Sequence, residues 1–207
     1  MSLPPGLEIP TNADIIKACN EFETYETRDV MYKVALSHMQ THWKKPEDMA
    51  DAIGVLLLTW NQSFYRYHGN FDIKRLEDCI IDNMDLLTEF KERTISSLCD
   101  EDNEQIRKLF NGFNEALQGA SSVKSAVSTV KTLHLLAPEF FPLWDREIAK
   151  RYKVNYDRNP DESYIQFCKY SQTMHEHIKH YKLPPLKKSI LKIMDEYNYC
   201  KYTKGWI

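Results

Sequence analysis

The stretch VKTLHLLAPEFFPLWDREIAKRY, Val130 to Tyr152, carries Lys131 and Asp145 fourteen positions apart, joined by one apolar helical turn and a proline-bounded aromatic loop. A lysine amine becomes a nucleophile only when its pKa is lowered, which burial or a neighbouring cation achieves. Lys124 lies seven residues before Lys131. At about 100° per residue the two share one flank of a helix, nearly perpendicular to a core face of Val123, Ala126, Val127, Val130, Leu133 and Ala137. Ser128 lies close by, and His134 falls between the two faces. Asp145 stands where the next helix begins, so helix capping accounts for it without any chemistry.

The elements that must position these residues are helical. Apolar residues recur at helical spacing in nearly every segment, and strictly alternating runs bounded by turn residues are missing. Helices are predicted over Asp14 to Phe22, Arg28 to Trp43, Pro46 to Tyr65, Ile73 to Arg93, Asp102 to Leu117, Ser122 to Leu136, Asp145 to Tyr152, Glu162 to Tyr181 and Pro185 to Cys200. Pro46 suits a first turn, and Ser121 or Ser122 can cap the helix bearing the lysines. Ala52 to Leu58 is apolar on every side, which predicts a central helix surrounded by neighbours. At its end the character changes to Trp60, Asn61, Gln62, Ser63, Phe64 and Tyr65. A polar group beside aromatics at the end of a buried helix suits a pocket floor, and equally suits a simple helix end.

The chain of 207 residues, 43% of them hydrophobic, is large enough for one well-buried core. The reading is an all-α fold in one domain, residues 1–207, with room for two packed lobes and a cleft between them. Five widely spaced cysteines, Cys19, Cys79, Cys99, Cys168 and Cys200, form no C-x-x-C pair, which indicates reduced thiols. The longest apolar run, Val55 to Leu58, is too short to cross a bilayer, and the N-terminal residues lack the features of an export signal. A soluble, cytoplasmic protein without a membrane partner is expected. The formal charge of -3 is uneven: Glu176 to Ile207 holds seven lysines against three acids. Such a tail with interleaved tyrosines either follows a phosphate backbone, through Lys187, Lys188 and Lys192, or forms an ordinary solvated face.

Two segments together resemble the helix-hairpin-helix DNA glycosylases. LLTWNQSFYR, Leu57 to Arg66, followed by DIKRLEDCI, Asp72 to Ile80, is similar to that family's "LTQNTxW" segment and its next helix. LQGASSVKSA, Leu117 to Ala126, then Pro138 and PLWDREIAKRY, Pro142 to Tyr152, resembles its hairpin, lysine helix, proline and "VDxxVxR" aspartate. The resemblance covers the middle half of the chain, in matching order. It implies a two-lobed helical enzyme of DNA repair that removes damaged or modified bases, with Asp145 stabilising charge on the sugar or activating water. In bifunctional members a lysine adds Schiff-base lyase chemistry. Lys124, fourteen residues before Pro138, matches the family's lysine in spacing, and Lys131 faces the same way. Trp60, Phe64 and Tyr65 would hold the extruded base, with Asn61, Gln62 and His134 as further substrate contacts. Gly119, Ser121 and Ser122 would face the DNA backbone. That hairpin departs from the family's Gly-hydrophobic-Gly turn, since Gly119-Ala120-Ser121-Ser122 has one glycine. No counterpart exists for the family's iron-sulfur cysteines, so no cofactor is expected. The alternative is a non-catalytic helical module that binds nucleic acid or a protein.

Other motifs point to no further chemistry. His38 and His42 are spaced i, i+4 as in some zinc sites, but the intervening Met39-Gln40-Thr41 lacks a metalloprotease glutamate, and the two read as a surface pair beside Trp43. His175, His177 and His180 cannot share one helix face, so no metal is expected. Phosphate-binding glycine loops and the serine-hydrolase elbow are absent.

Overall fold

The computed structural model describes residues 2–61, 64, 66, 71–118, 124–155, 157–183 and 188–207. Among them the fold is all-α, with no strand. In chain order the helices are α1 (Asn12–Tyr25), α2 (Asp29–Thr41), α3 (Pro46–Trp60), α4 (Ile73–Asp82), α5 (Met84–Lys91), α6 (Asp102–Ala116), α7 (Ala126–Leu136), α8 (Arg146–Arg151), α9 (Pro160–Ile178) and α10 (Ile190–Asn198). A 3-10 turn, Ile95–Ser97, lies between α5 and α6, and a π-helical segment, Tyr199–Lys204, extends α10. None of the described helices is long and apolar enough to cross a membrane. All five cysteines are free thiols.

Local chemistry sets the helix ends. Thr11 and Asp14 form a reciprocal capping box on α1. Pro46 opens α3 ahead of Glu47 and Asp48, acids placed where the helix dipole favours them. Ser125 caps α7 and Ser189 caps α10 through their hydroxyl oxygens. The helix predicted over Ile73 to Arg93 is two helices, because Asn83 folds back and donates from Nδ2 to the Cys79 carbonyl at 2.8 Å. A polar side chain that satisfies the preceding turn offers the backbone an exit from the helix. The helix predicted to reach Tyr65 stops at Trp60, where Asn61 Oδ1 accepts from the Phe64 amide.

The most enclosed helices are α10, buried throughout Leu191 to Asn198, and α7. In α7, the residues from Ser128 to Leu136 are buried except Lys131, whereas α3 leaves Val55 exposed and Leu58 half-buried. This corrects the expectation that α3 is the surrounded helix, although Ile53, Leu56 and Leu57 are fully buried as expected. The wheel puts Ser128 and His134 off the core face, yet both are satisfied inside, as is Thr129. Ser128 Oγ accepts from Asn61 Nδ2 at 3.0 Å, and Thr129 Oγ1 donates to the Ser125 carbonyl at 3.1 Å. A polar group with a partner can be buried at little cost.

Around α7 pack α2, α3 and α6; α9 lies against α6 and α10, and α1 lies against α10 and the π-helical segment. One continuous apolar cluster runs through these elements, from Leu7 to Cys200. The C-terminal helix thus returns to the first one, beside the end of α3 and the flank of α7 that carries Lys131.

Candidate active site

A pocket of about 70 Å³ lies at that junction. It is lined by Phe22 and Glu26 from the α1 end, by Arg28, by Trp60 from α3 and by Lys131 from α7. The loop residues Leu143, Trp144 and Asp145, Asp195 from α10 and Tyr199 from the π-helical segment complete the lining. The structure therefore brings together Lys131, Asp145 and Trp60.

Lys131 keeps some solvent contact. Its Nζ donates to the Trp60 carbonyl at 3.2 Å and lies 4.7 Å from the Trp60 ring centroid. Burial pushes its amine down to about 8; the carboxylates of Asp195 and Asp145 pull the other way, and Arg28 adds to the lowering. The same contact with Trp60 also satisfies a carbonyl at the C-terminus of α3, a capping role open to a lysine.

Asp145 caps α8, its Oδ1 accepting from the Ile148 amide at 2.9 Å. Its Oδ2 accepts from the Thr203 hydroxyl at 2.6 Å, which ties the loop to the C-terminal segment. The carboxylate thus has both oxygens engaged while it lines the pocket.

Asp195 is a pocket residue that the sequence reading passes over. Burial pushes its carboxyl up to about 6, against the pull of Lys192 and with a further push from Asp145. Asp195 lines the same pocket as Lys131, while its close cation is Lys192 at 3.4 Å. The visible signal was an acid pair, Asp195 and Glu196, within an otherwise buried helix. Also in the lining, Arg28 grips Glu26 with Nε and Nη2 at 2.7 and 2.6 Å, and the Tyr199 hydroxyl donates to Glu26 at 2.8 Å. Burial would raise the Glu26 pKa, but these bonds from Arg28 and Tyr199 hold it below the ordinary carboxylate range.

Several expected site residues have other roles. Lys124, favoured by spacing, is half-exposed, pairs with Glu115 at 3.6 Å and lines a separate open cavity with Asn111 and Asp161. Fourteen residues of spacing to a proline do not determine where a side chain points once the helix begins only at Ala126. His134 is fully buried: Nδ1 meets the Phe141 carbonyl at 2.7 Å and Nε2 meets the Tyr32 hydroxyl at 2.9 Å. Burial lowers its pKa to about 3, so it is a neutral core staple with no face left for substrate. Phe64 is buried against Phe71, and Asn61 is held between Ser128 and the Phe64 amide. Both serve the end of α3 rather than a bound base.

The lysine-rich tail is corrected as well. Lys192 is fully buried, with Asp29 and Asp195 at 3.4 Å and Glu196 at 3.2 Å, and its Nζ lies 4.1 Å from the Phe22 ring centroid. Although burial opposes its charge, these three carboxylates raise its pKa. Lys188 is mostly buried and pairs with Glu23 and Glu196 at 3.1 and 2.9 Å. Neither can follow a phosphate backbone, because each is consumed by internal acids, two of which come from the other end of the chain. Gln62, Tyr65, Gly119, Ser121, Ser122 and Lys187 lie outside the described residues. No protein-family model, curated protein or solved structure matches this chain.

Proposed function

We propose that the protein is a DNA glycosylase-like enzyme with Schiff-base lyase chemistry, in which Lys131 is the nucleophile. What supports this is one observation: an amine whose pKa is lowered to about 8 lies in the same pocket as the Asp145 and Asp195 carboxyls. At pH 7 about a tenth of such an amine is neutral and able to attack. With an abasic sugar, the Lys131 lone pair forms a bond to the C1′ aldehyde carbon. The carbinolamine then loses its oxygen as water, leaving an imine. On an intact nucleotide, the bond that breaks is C1′ to the base, which leaves with the electron pair and takes up a proton. Asp195 suits that proton traffic, and Asp145 supplies negative charge opposite the developing cation.

The pocket size refines the reading. Its 70 Å³ holds a few waters, against roughly 300–1,000 Å³ for sites that enclose a whole small ligand. The enclosed part thus suits the reacting sugar carbon, with the base held outside it.

Borohydride reduces an imine to a permanent adduct. Incubating the protein with an oligonucleotide that carries an abasic site, in the presence of borohydride, is expected to give a covalent band. The band persists in Lys124→Gln and disappears in Lys131→Gln. Base release from a lesion panel is expected to collapse in Asp145→Asn, since the amide keeps the cap and lacks the charge. One observation favours a non-catalytic helical module instead: the α8 cap and Thr203 occupy both Asp145 oxygens. Absence of both trapping and base release would select that module.

A further inference from the structure

Away from the pocket, the turn from α2 to α3 assembles a second group of side chains. His38 and His42 stand one helical turn apart at the end of α2, their ring centroids 4.3 Å apart. Asp48, in the first turn of α3, brings Oδ1 to 3.9 Å from His38 Nε2. One donor atom from each of the three lies within 4.8 Å of the others. Sequence distance hides this set, because the turn through Lys44, at φ 69°, folds the third ligand back onto the first two.

We propose that His38, His42 and Asp48 bind a divalent transition metal of the zinc type, clamping α2 to α3. Two imidazoles and a carboxylate are a donor set that zinc favours, and water completes a tetrahedron. With zinc–ligand bonds of about 2.0–2.1 Å, neighbouring donors stand roughly 3.4 Å apart. The observed separations therefore need a closure of about an ångström, within reach of side-chain rotation by groups that are part-exposed. A second feature suits a ligand. His42 Nδ1 lies 3.0 Å from the His38 carbonyl, an arrangement that places the proton on Nδ1 and leaves Nε2 free to coordinate. Metal-bound histidines characteristically donate their other ring N–H to a carbonyl or carboxylate, which fixes the ring. Because the ligands come from the two helices flanking one turn, metal bound to the folded chain raises its stability by mass action.

The test uses the full chain, stripped with a chelator and titrated with zinc alone by calorimetry, with cobalt as the spectroscopic probe. The expected result is one zinc per chain, a zinc-dependent rise in melting temperature, and a visible tetrahedral cobalt spectrum without a thiolate charge-transfer band. Affinity falls at least about tenfold in Asp48→Asn and saturable binding is lost in His42→Ala. Both variants are expected to keep the metal-free melting temperature. His177→Gln with His180→Gln leaves binding intact. The proposal is overturned by a lack of saturable uptake, by undiminished binding in His42→Ala, or by a cobalt spectrum showing a thiolate ligand. A His42→Ala protein that no longer folds is replaced by Asp48→Asn, whose unchanged affinity would equally overturn it.

Discussion

Lys131 and Lys192 reach the same indole ring, their ammonium nitrogens 4.7 and 5.3 Å from the Trp60 centroid, and their pKa values move in opposite directions. Both are penalised by burial. Around Lys192 three carboxylates within 3.4 Å outweigh that penalty, whereas Lys131 has a carbonyl and a ring in contact and feels Asp195 and Asp145 at longer range. A buried lysine surrounded by anions is a strut; one short of close anions is held part-way to neutrality. Direct contact with carboxylates, more than burial itself, separates the two roles.

The largest expected effect comes from removing the strut. Lys192→Met leaves Asp29, Asp195 and Glu196 without their shared cation and is expected to cost about 3–5 kcal/mol, measured by urea unfolding. A loss below about 1 kcal/mol would mean that the carboxylates are solvated or protonated without it. Lys131→Met removes one hydrogen bond but also a poorly solvated charge, so its stability change is expected to stay within about 1 kcal/mol. Equal destabilisation by the two substitutions would erase the contrast between them.

The pH dependence sharpens the comparison. Asp195 titrates near 6 in the folded chain and lower when unfolded, so the folded state holds the extra proton in between. Stability should therefore fall as pH rises from about 4 to 6, and Asp195→Asn should flatten that slope. Lys131 has the opposite linkage. Its folded pKa of about 8 lies below the unfolded value near 10.4, so the unfolded chain binds more protons in that window and stability should rise with pH across it. Lys131→Gln should remove that rise. The smallest effect belongs to Lys124→Gln, whose half-exposed pair with Glu115 should contribute no more than about 0.5 kcal/mol.

What could be read from the sequence follows from how local each determinant is. Helical periodicity, Pro46 and the serine and aspartate caps act within one turn, and the all-α fold and the cap at Asp145 were legible. Lys131 and Asp145 could be named as candidates because each lies beside its own helix signal. Lys192 could not be assigned, because the acids that claim it sit on α2 and α10, and a charge count over the tail sees one group only. His134 misled for a related reason: hydropathy does not register hydrogen bonds to partners across the core, here the Tyr32 hydroxyl and the Phe141 carbonyl. Asp48 entered the group with His38 and His42 only through the turn at Lys44.

The central claim is that burial lowers the pKa of Lys131, whereas close carboxylates raise that of Lys192. Carbon-detected NMR titration of the lysine side chains, assigned with Lys131→Gln and Lys192→Met, measures it directly. The account predicts one resonance, missing in Lys131→Gln, with a midpoint near pH 8, while the Lys192 resonance stays protonated throughout the range over which the protein is folded. A Lys131 midpoint at the ordinary lysine value of about 10.4 would contradict it.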